Sequence, residues 1–408
     1  MMRKITAITF LVIAVGSASA TIESSLQSTL MSKLYKKFSY YRSGIKADIS
    51  WLIADLKFKD GNVKICEFGE GTRSRYKGHD AMHGKGTMWR FFWNYFKQFN
   101  VPPYYIGPAV FSADDRQEIR YEQLSALGGK TLYRTAELAH VATLRNHRKK
   151  KHTLALADHA GLLMFRHIDA SGFSILDFKS RNPDLLVLNA AVAPFVNSKY
   201  LTNILFLEEK YAPYKPKFVL CKKEYSSNLA AEIHKKLQCE RYVIKPLYEF
   251  KGRGIIMADQ QDLDTVLQCM LDKNSLQEQK NKKIYSNDRE LFDFWQRSKK
   301  QHFLVEEYCP SNSMTIKDSL YDPTMRLVFT LHYDQGQVHI TYLDAFWKIP
   351  VKSLDRENCS LTQRCKSKGT IPAKVSSEDY EQVKKQFDAF MPSLYKKMID
   401  LINGDVTF

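Results

Sequence analysis

Apolar positions along the chain follow two rhythms. Leu26, Leu30, Leu34 and Phe38 recur at four-residue steps, which predicts a helix over Thr21 to Arg42, stopped at Ser43-Gly44. The period then drops to two: Ile49 to Phe58 and Val63 to Phe68 read as paired strands about a tight Asp60-Gly61 turn. Met88 to Phe99 returns to helical spacing, and its aromatic residues (Trp89, Phe91, Phe92, Trp93, Tyr95, Phe96) read as core. Between Tyr104 and Asn189, short apolar runs at Tyr105–Ile106, Leu154–Ala157, Phe173–Asp177 and Leu185–Leu188 alternate with helical patterns at Arg116–Leu127 and Thr135–Thr143. That alternation predicts a small α/β domain.

The second half continues the mixture. Val192 to Phe206 predicts one helix, and Pro213 and Pro216 bracket a linker before the strand Phe218–Leu220. Strands at Tyr242–Ile244 and Ile255–Ile256, helices at Asp262–Leu271 and Asp288–Arg297, and a strand Phe303–Tyr308 follow. Met325–Leu331 and Val338–Ala345 form an antiparallel pair about Asp334-Gln335-Gly336. Ser376 to Asn403 is a final amphipathic helix, capped at Ser376 and kinked or split by Pro392.

The N-terminus is a separate object. Arg3-Lys4, an apolar run from Ile5 to Val15 and Ala18-Ser19-Ala20 have the form of a Sec-type signal peptide, so residues 1–20 are expected to be removed. No later stretch has the ~18 apolar residues of a spanning helix, and the mature chain is expected to be exported to the periplasm or secreted, with delivery into a host cell as one route by which it would meet ATP.

Composition limits the alternatives. With 44% hydrophobic, 12% aromatic and 26% charged residues in 408, the chain is a folded protein with room for two or three domains. The formal net charge of +17 suits an anionic partner such as a nucleotide, a nucleic acid or an acidic peptide. Its one dense basic run, His147 to His152, reads as a solvated loop. Seven cysteines contain no CxxC pair, which argues against zinc; Cys359 and Cys365 share a polar loop and could bridge.

Candidate chemistry lies in separated pieces. Arg241 to Met257, RYVIKPLYEFKGRGIIM, is a strand ending in Lys245, a loop holding Lys251, Gly252, Arg253 and Gly254, and a second strand. It reads either as a hairpin with a basic tip or as a glycine loop closing its backbone over a phosphate that Lys245 reaches. Glu306, Glu307 and Tyr308 end a strand that could offer backbone groups and a carboxylate to an adenosine. Arg326 sits in a strand, where a cation could steady a phosphoryl group or an oxyanion. Lys348 is a substrate contact or an ordinary strand-edge lysine. Asp55 and Glu67 lie on the two strands of the first hairpin, as metal ligands on one face or as solvated charges.

Lysine with a glycine loop, acidic strand end, then strand arginine is an order that resembles the ATP-grasp superfamily over roughly 189–350. With an acidic hairpin (ADLKFKDGNVKICEFGEG) ahead of these pieces and Asn197-Ser198-Lys199 before Lys245, the chain is similar to the permuted glutathionylspermidine synthetase-like ligases. The resemblance implies an α+β fold of two lobes clasping ATP, with a small α/β domain. Residues 21–103 would join 191–350 in the clasp, 104–190 would face the substrate, and 351–408 would form a loop and C-terminal helix. It implies a ligase joining a carboxylate to an amine through an acyl phosphate, with ATP and Mg2+. Asp55 and Glu67 would hold the metal; Lys199, Lys245, Lys251, Gly252, Arg253, Gly254, Glu306, Glu307 and Tyr308 would bind the nucleotide; Arg326 and Lys245 would act on the transferring group. The pattern departs at Gly69, where the family has an Asn ligand. Two other classes stay open. One is a catalytically reduced relative that binds a nucleotide or acidic ligand; the other, a basic nucleic-acid binder, leaves the acidic hairpin unexplained.

Overall fold

A computed structural model describes residue 32 and residues 44–71, 76–99, 103–106, 130–132, 162–165, 186–196, 198–247, 249, 252–272, 283–366 and 371–407. The leader, the first helix, Asn197 and Lys251 lie outside the described residues. The fold is mixed α/β and is built mainly from antiparallel sheets.

The chain enters through β1 (Ala47–Lys59) and β2 (Asn62–Glu70). Asp60 and Gly61 both take positive φ, the paired left-handed conformation a two-residue hairpin turn needs. Helices α1 (Lys77–His83) and α2 (Thr87–Phe96) follow. Then β3 (Pro103–Ile106), β4 (Lys130–Leu132) and β5 (Leu162–Phe165) form a parallel sheet in the order β4-β3-β5. Of the apolar runs expected there, Tyr105–Ile106 coincides with one of these strands, β3. Of the other apolar runs expected there, Leu154–Ala157 and Phe173–Asp177 lie outside the described residues, while Leu188 to Ala190 form a turn.

The single helix expected over Val192 to Phe206 is in fact two, α3 (Ala193–Val196) and α4 (Lys199–Leu205). Ser198 separates them: its backbone is extended, and its hydroxyl accepts from the Leu201 amide. A second sheet, ordered β6-β9-β7-β8, comprises β6 (Phe218–Lys222), β7 (Arg241–Pro246), β8 (Ile256–Asp259) and β9 (His302–Glu307), all antiparallel. Helices α5 (Leu229–Leu237), α6 (Leu263–Leu271) and α7 (Lys283–Arg297) intervene along the chain. Side chains of all three share a core with this sheet, including Ile233, Leu267 and Trp295.

A small hairpin of β10 (Met314–Ile316) and β11 (Ser319–Tyr321) leads into β12 (Thr324–Asp334) and β13 (Gln337–Ile349). After α8 (Leu361–Cys365), β14 (Ile371–Lys374) completes a five-stranded sheet in the order β14-β13-β12-β1-β2. Finally α9 (Ser377–Asn403) covers one face of it. Alternation sorts this sheet cleanly. Leu52, Ala54, Leu56 and Phe58 meet Phe387, Leu394 and Met398 of α9, whereas Ile49, Trp51 and Ile53 meet Trp89 and Phe92 of α2.

Two further expectations are corrected. Pro392 does not split α9, which runs unbroken for 27 residues. The carbonyl deprived of its donor belongs to Asp388, an exposed residue, so water can replace the missing amide. Cys359 and Cys365 do not bridge: all seven cysteines are free, and Sγ of buried Cys365 lies 3.1 Å from the Tyr308 hydroxyl. No helix among the described residues is long and apolar enough to cross a membrane.

Candidate active site

On the α2 side of the five-stranded sheet the aromatic packing gives way to charge. Glu67, Asp55 and Arg326 are direct cross-strand partners on β2, β1 and β12, which sets the three side chains in a row on one face. Arg326 grips Asp55 with both ends of its fork, at 2.7 and 2.8 Å, and Lys348 of β13 adds a third contact at 2.8 Å. Burial opposes the charge on Asp55, but Arg326 and then Lys348 outweigh it and hold the carboxyl far below the usual range. Lys348 is therefore part of the site. Burial and the neighbouring Arg326 lower its own pKa against the pull of Asp55.

Simple alternation does not produce this row. Counting back from the turn, Cys66 should stand opposite Asp55, and Glu67 should point into the core. The ladder instead slips by one residue: Leu56 pairs with Ile65 and Asp55 with Glu67, leaving Cys66 as the extra residue of a β-bulge. The bulge puts Glu67 beside Asp55 and turns the Cys66 carbonyl out of the ladder.

That carbonyl is where the second sheet attaches. Lys245, at the end of β7, donates to it at 3.3 Å, and Lys215 donates to it at 3.2 Å and to the Ile65 carbonyl at 2.9 Å. Both lysines share Glu306, with Lys245 at 2.5 Å and Lys215 at 3.6 Å, and Asn203 of α4 donates to the same carboxylate at 2.9 Å. Burial opposes ionisation of Glu306, yet the two lysines draw its pKa down to about 2. Lys199, first residue of α4, lies 3.6 Å from Glu67 and donates to the Glu249 carbonyl. Asp55, Glu67, Lys199, Lys245 and Arg326, scattered over 272 positions of sequence, thus occupy one junction between two sheets.

Other expected contacts are placed differently. β9 is an interior strand, and the amides of Glu307 and Tyr308 donate to the Lys217 and Arg241 carbonyls. Those two amides are thus not free to meet an adenine, and the Glu306 carboxylate is engaged by its lysines. The Tyr308 hydroxyl donates to Asp322, which also holds Lys57 at 2.6 Å. Gly252, Arg253 and Gly254 do form a turn, with positive φ at both glycines. Its anchor is the Trp295 indole, which donates to the Gly254 carbonyl at 2.8 Å. Arg253 is exposed and lies over the Phe294 ring, so it is not brought into the charged row.

Sequence reasoning missed Lys215, Lys57, Asp322 and Tyr76. Lys215 carried a signal, a lysine set between Pro213 and Pro216, where the backbone is stiff enough to aim a side chain inward. Buried Tyr76 has a hydroxyl without a hydrogen-bond partner and feels Arg326 electrostatically.

Two carboxylates on adjacent strands and one face are the donor type a hard divalent cation takes, with Glu67 about one-third exposed (34%), while both oxygens of Asp55 are held by Arg326 and Lys348. Gly69 leaves little room for a third side chain, since a Cβ there would stand 3.0 and 3.1 Å from Ile53 atoms.

No family model and no curated protein matches the chain. Among solved structures it is similar to a protein from Methylobacillus flagellatus KT, provisionally named gamma-glutamylcysteine synthetase, at 9% identity and a TM-score of 0.43. That match covers 94% of this chain and 96% of the other. A glutathione synthetase-like effector from Globodera pallida, in its apo form, matches at 12% identity and a TM-score of 0.38, covering 82% and 83%.

Proposed function

We propose that the chain is an ATP-dependent ligase of ATP-grasp type, joining a carboxylate to an amine through an acyl phosphate. The observation that carries this reading is the row Glu67–Asp55–Arg326 meeting Lys199 and Lys245 where two antiparallel sheets join. A nucleic-acid surface has no use for carboxylates lined up in that position.

Asp55 and Glu67 would hold Mg2+, which when bound offsets phosphate charge. Lys199 and Lys245, both donating to main-chain carbonyls beside the row, would bind the triphosphate. Arg326 and Lys348 would exchange part of their hold on Asp55 for the substrate carboxylate and the phosphoryl group it accepts. In the first step the γ-phosphorus–oxygen bond of ATP breaks and ADP leaves as the carboxylate oxygen takes the phosphoryl group. An amine then attacks the acyl carbon: a C–N bond forms, the C–O bond breaks with its electron pair going to phosphate, and the amine loses a proton.

A second reading, a nucleotide-binding relative without turnover, is favoured by Gly69 against Ile53 and by the saturation of Asp55 with cations. Glu67→Gln separates the outcomes, because this partly exposed side chain can lose its charge at little cost to folding. The ligase predicts Mg2+-dependent ATP binding, weakened at least tenfold in the variant, and ADP release when pooled carboxylates and amines are added. ATP binding without ADP release, whether or not it depends on Mg2+ and Glu67, selects the second reading; absence of ATP binding removes both.

A further inference from the structure

A second group of ligating side chains lies on the same sheet, outside the row of Asp55. Helix α1 sets His79 and His83 one turn apart, and both face Asp344 of β13. Nε2 of His79 is 2.7 Å from Asp344 Oδ2, and Nε2 of His83 is 3.7 Å from the same atom. The two rings lie 4.6 Å apart, and one ligand atom from each of the three residues falls within 4.8 Å of the others. The two measured gaps bracket the roughly 3.3 Å between ligand atoms around a tetrahedral ion bonded at about 2.0 Å.

The polar atoms here meet as close charged pairs without hydrogen-bond geometry. The His79 side chain is fully buried, and neither of its nitrogens has a hydrogen-bond partner; nor does Oδ2 of Asp344. The 2.7 Å approach therefore has the distance of a hydrogen bond without its geometry. Behind the ring, Asp80 Oδ1 stands 3.9 Å from His79 Nδ1 and is itself unpartnered. A carboxylate there is the usual means of orienting a ligating imidazole. The helix is also pressed onto the sheet: a Cβ at Gly78 would meet Pro372 of β14 at 3.2 Å.

We propose that His79, His83 and Asp344 bind a divalent transition ion of the zinc class. Two imidazoles and one carboxylate suit such an ion, whereas the all-carboxylate pair of Asp55 and Glu67 suits a harder one. His83 (32% exposed) and Asp344 (22%) leave the site open on one side, where water or a ligand completes the coordination. The cysteine spacing that argued against zinc has no bearing on an imidazole site. The ion clips α1 to β13 and stands independent of ATP binding.

The test uses the full chain freed of metal by chelation, titrated with Zn2+ by calorimetry and with Co2+ by visible absorption. One ion per chain is expected, with a d–d spectrum of four-coordinate intensity and no thiolate charge-transfer band. His83→Ala and Asp344→Asn should each weaken binding about 100-fold or more, and Zn2+ should raise the thermal midpoint of wild type but of neither variant. Circular dichroism of the metal-free variants must match wild type, and Glu67→Gln must bind Zn2+ normally. Absence of stoichiometric binding overturns the proposal. So does binding that survives in both correctly folded variants, a thiolate band, or loss of binding in Glu67→Gln.

Discussion

Glu306 is ionised in surroundings that, by burial alone, would neutralise it. Lys245 and Lys215 reverse the balance, so the folded carboxyl keeps its charge down to about 2, against an ordinary 4.5 in the unfolded chain. Between those values the unfolded chain binds the extra proton. The stabilisation from Glu306 is therefore complete above about pH 4.5 and is lost as pH falls towards 2. Glu306→Gln should cost about 3–5 kcal/mol at neutral pH, because two buried ammonium groups lose their counter-charge. Its urea midpoint should also fall less steeply than that of wild type between about pH 5 and pH 3. Equal slopes in the two proteins would show that Glu306 titrates normally. From sequence, Glu306 read as a carboxylate facing a ligand; the strand itself was legible, but the lysines that claim its side chain come from segments 61 and 91 positions away.

At the level of elements, the β1–β2 and β12–β13 hairpins, strands β6 to β9 and α9 were legible because their burial follows the period of two or 3.6 that the sequence displays, whereas β4, β5, β10, β11 and β14, of three or four residues each, are too short to show a period. Breaks in those periods were harder to read. A bulge at Cys66 adds one residue to β2 without any glycine or proline to announce it, and it decides which face Glu67 takes. The interruption between α3 and α4 had a polar signal, Asn197-Ser198, inside an otherwise apolar stretch. Ser198 ends one element and caps the next, which aims Lys199 at Glu67. Ser198→Ala should destabilise the protein by about 1 kcal/mol through the lost cap. Because the cap also sets the direction of Lys199, ATP affinity should drop more than the stability loss explains, whereas Ser198→Asp should restore both. An affinity unchanged in Ser198→Ala would detach α4 from the nucleotide site.

For the whole molecule, the site exists only because β2, an edge strand of the five-stranded sheet, meets the face of the second sheet that carries Lys245, Leu304 and Glu306. Apolar packing is non-directional and does not fix the angle of such a joint; hydrogen bonds to main-chain carbonyls do. Lys215 makes the most of them, reaching two carbonyls of β2 while paired with Glu306 of β9, and it is nearly fully buried. Lys215→Met keeps the length of the side chain and leaves Glu306 with Lys245 and Asn203. The expected loss is therefore about 1–3 kcal/mol, short of the full cost of an unpaired buried charge. Amide exchange should quicken around residues 65–67 while β12 and β13 stay protected, since their ladder does not pass through Lys215. Mg2+-dependent ATP affinity should fall with it, although Lys215 is given no contact with the nucleotide. Lys222→Met, at an exposed lysine paired with Glu224, should change none of these by more than about 0.5 kcal/mol. If the Lys215 variant kept both its exchange pattern and its ATP affinity, the joint would have to be held by the apolar contacts alone.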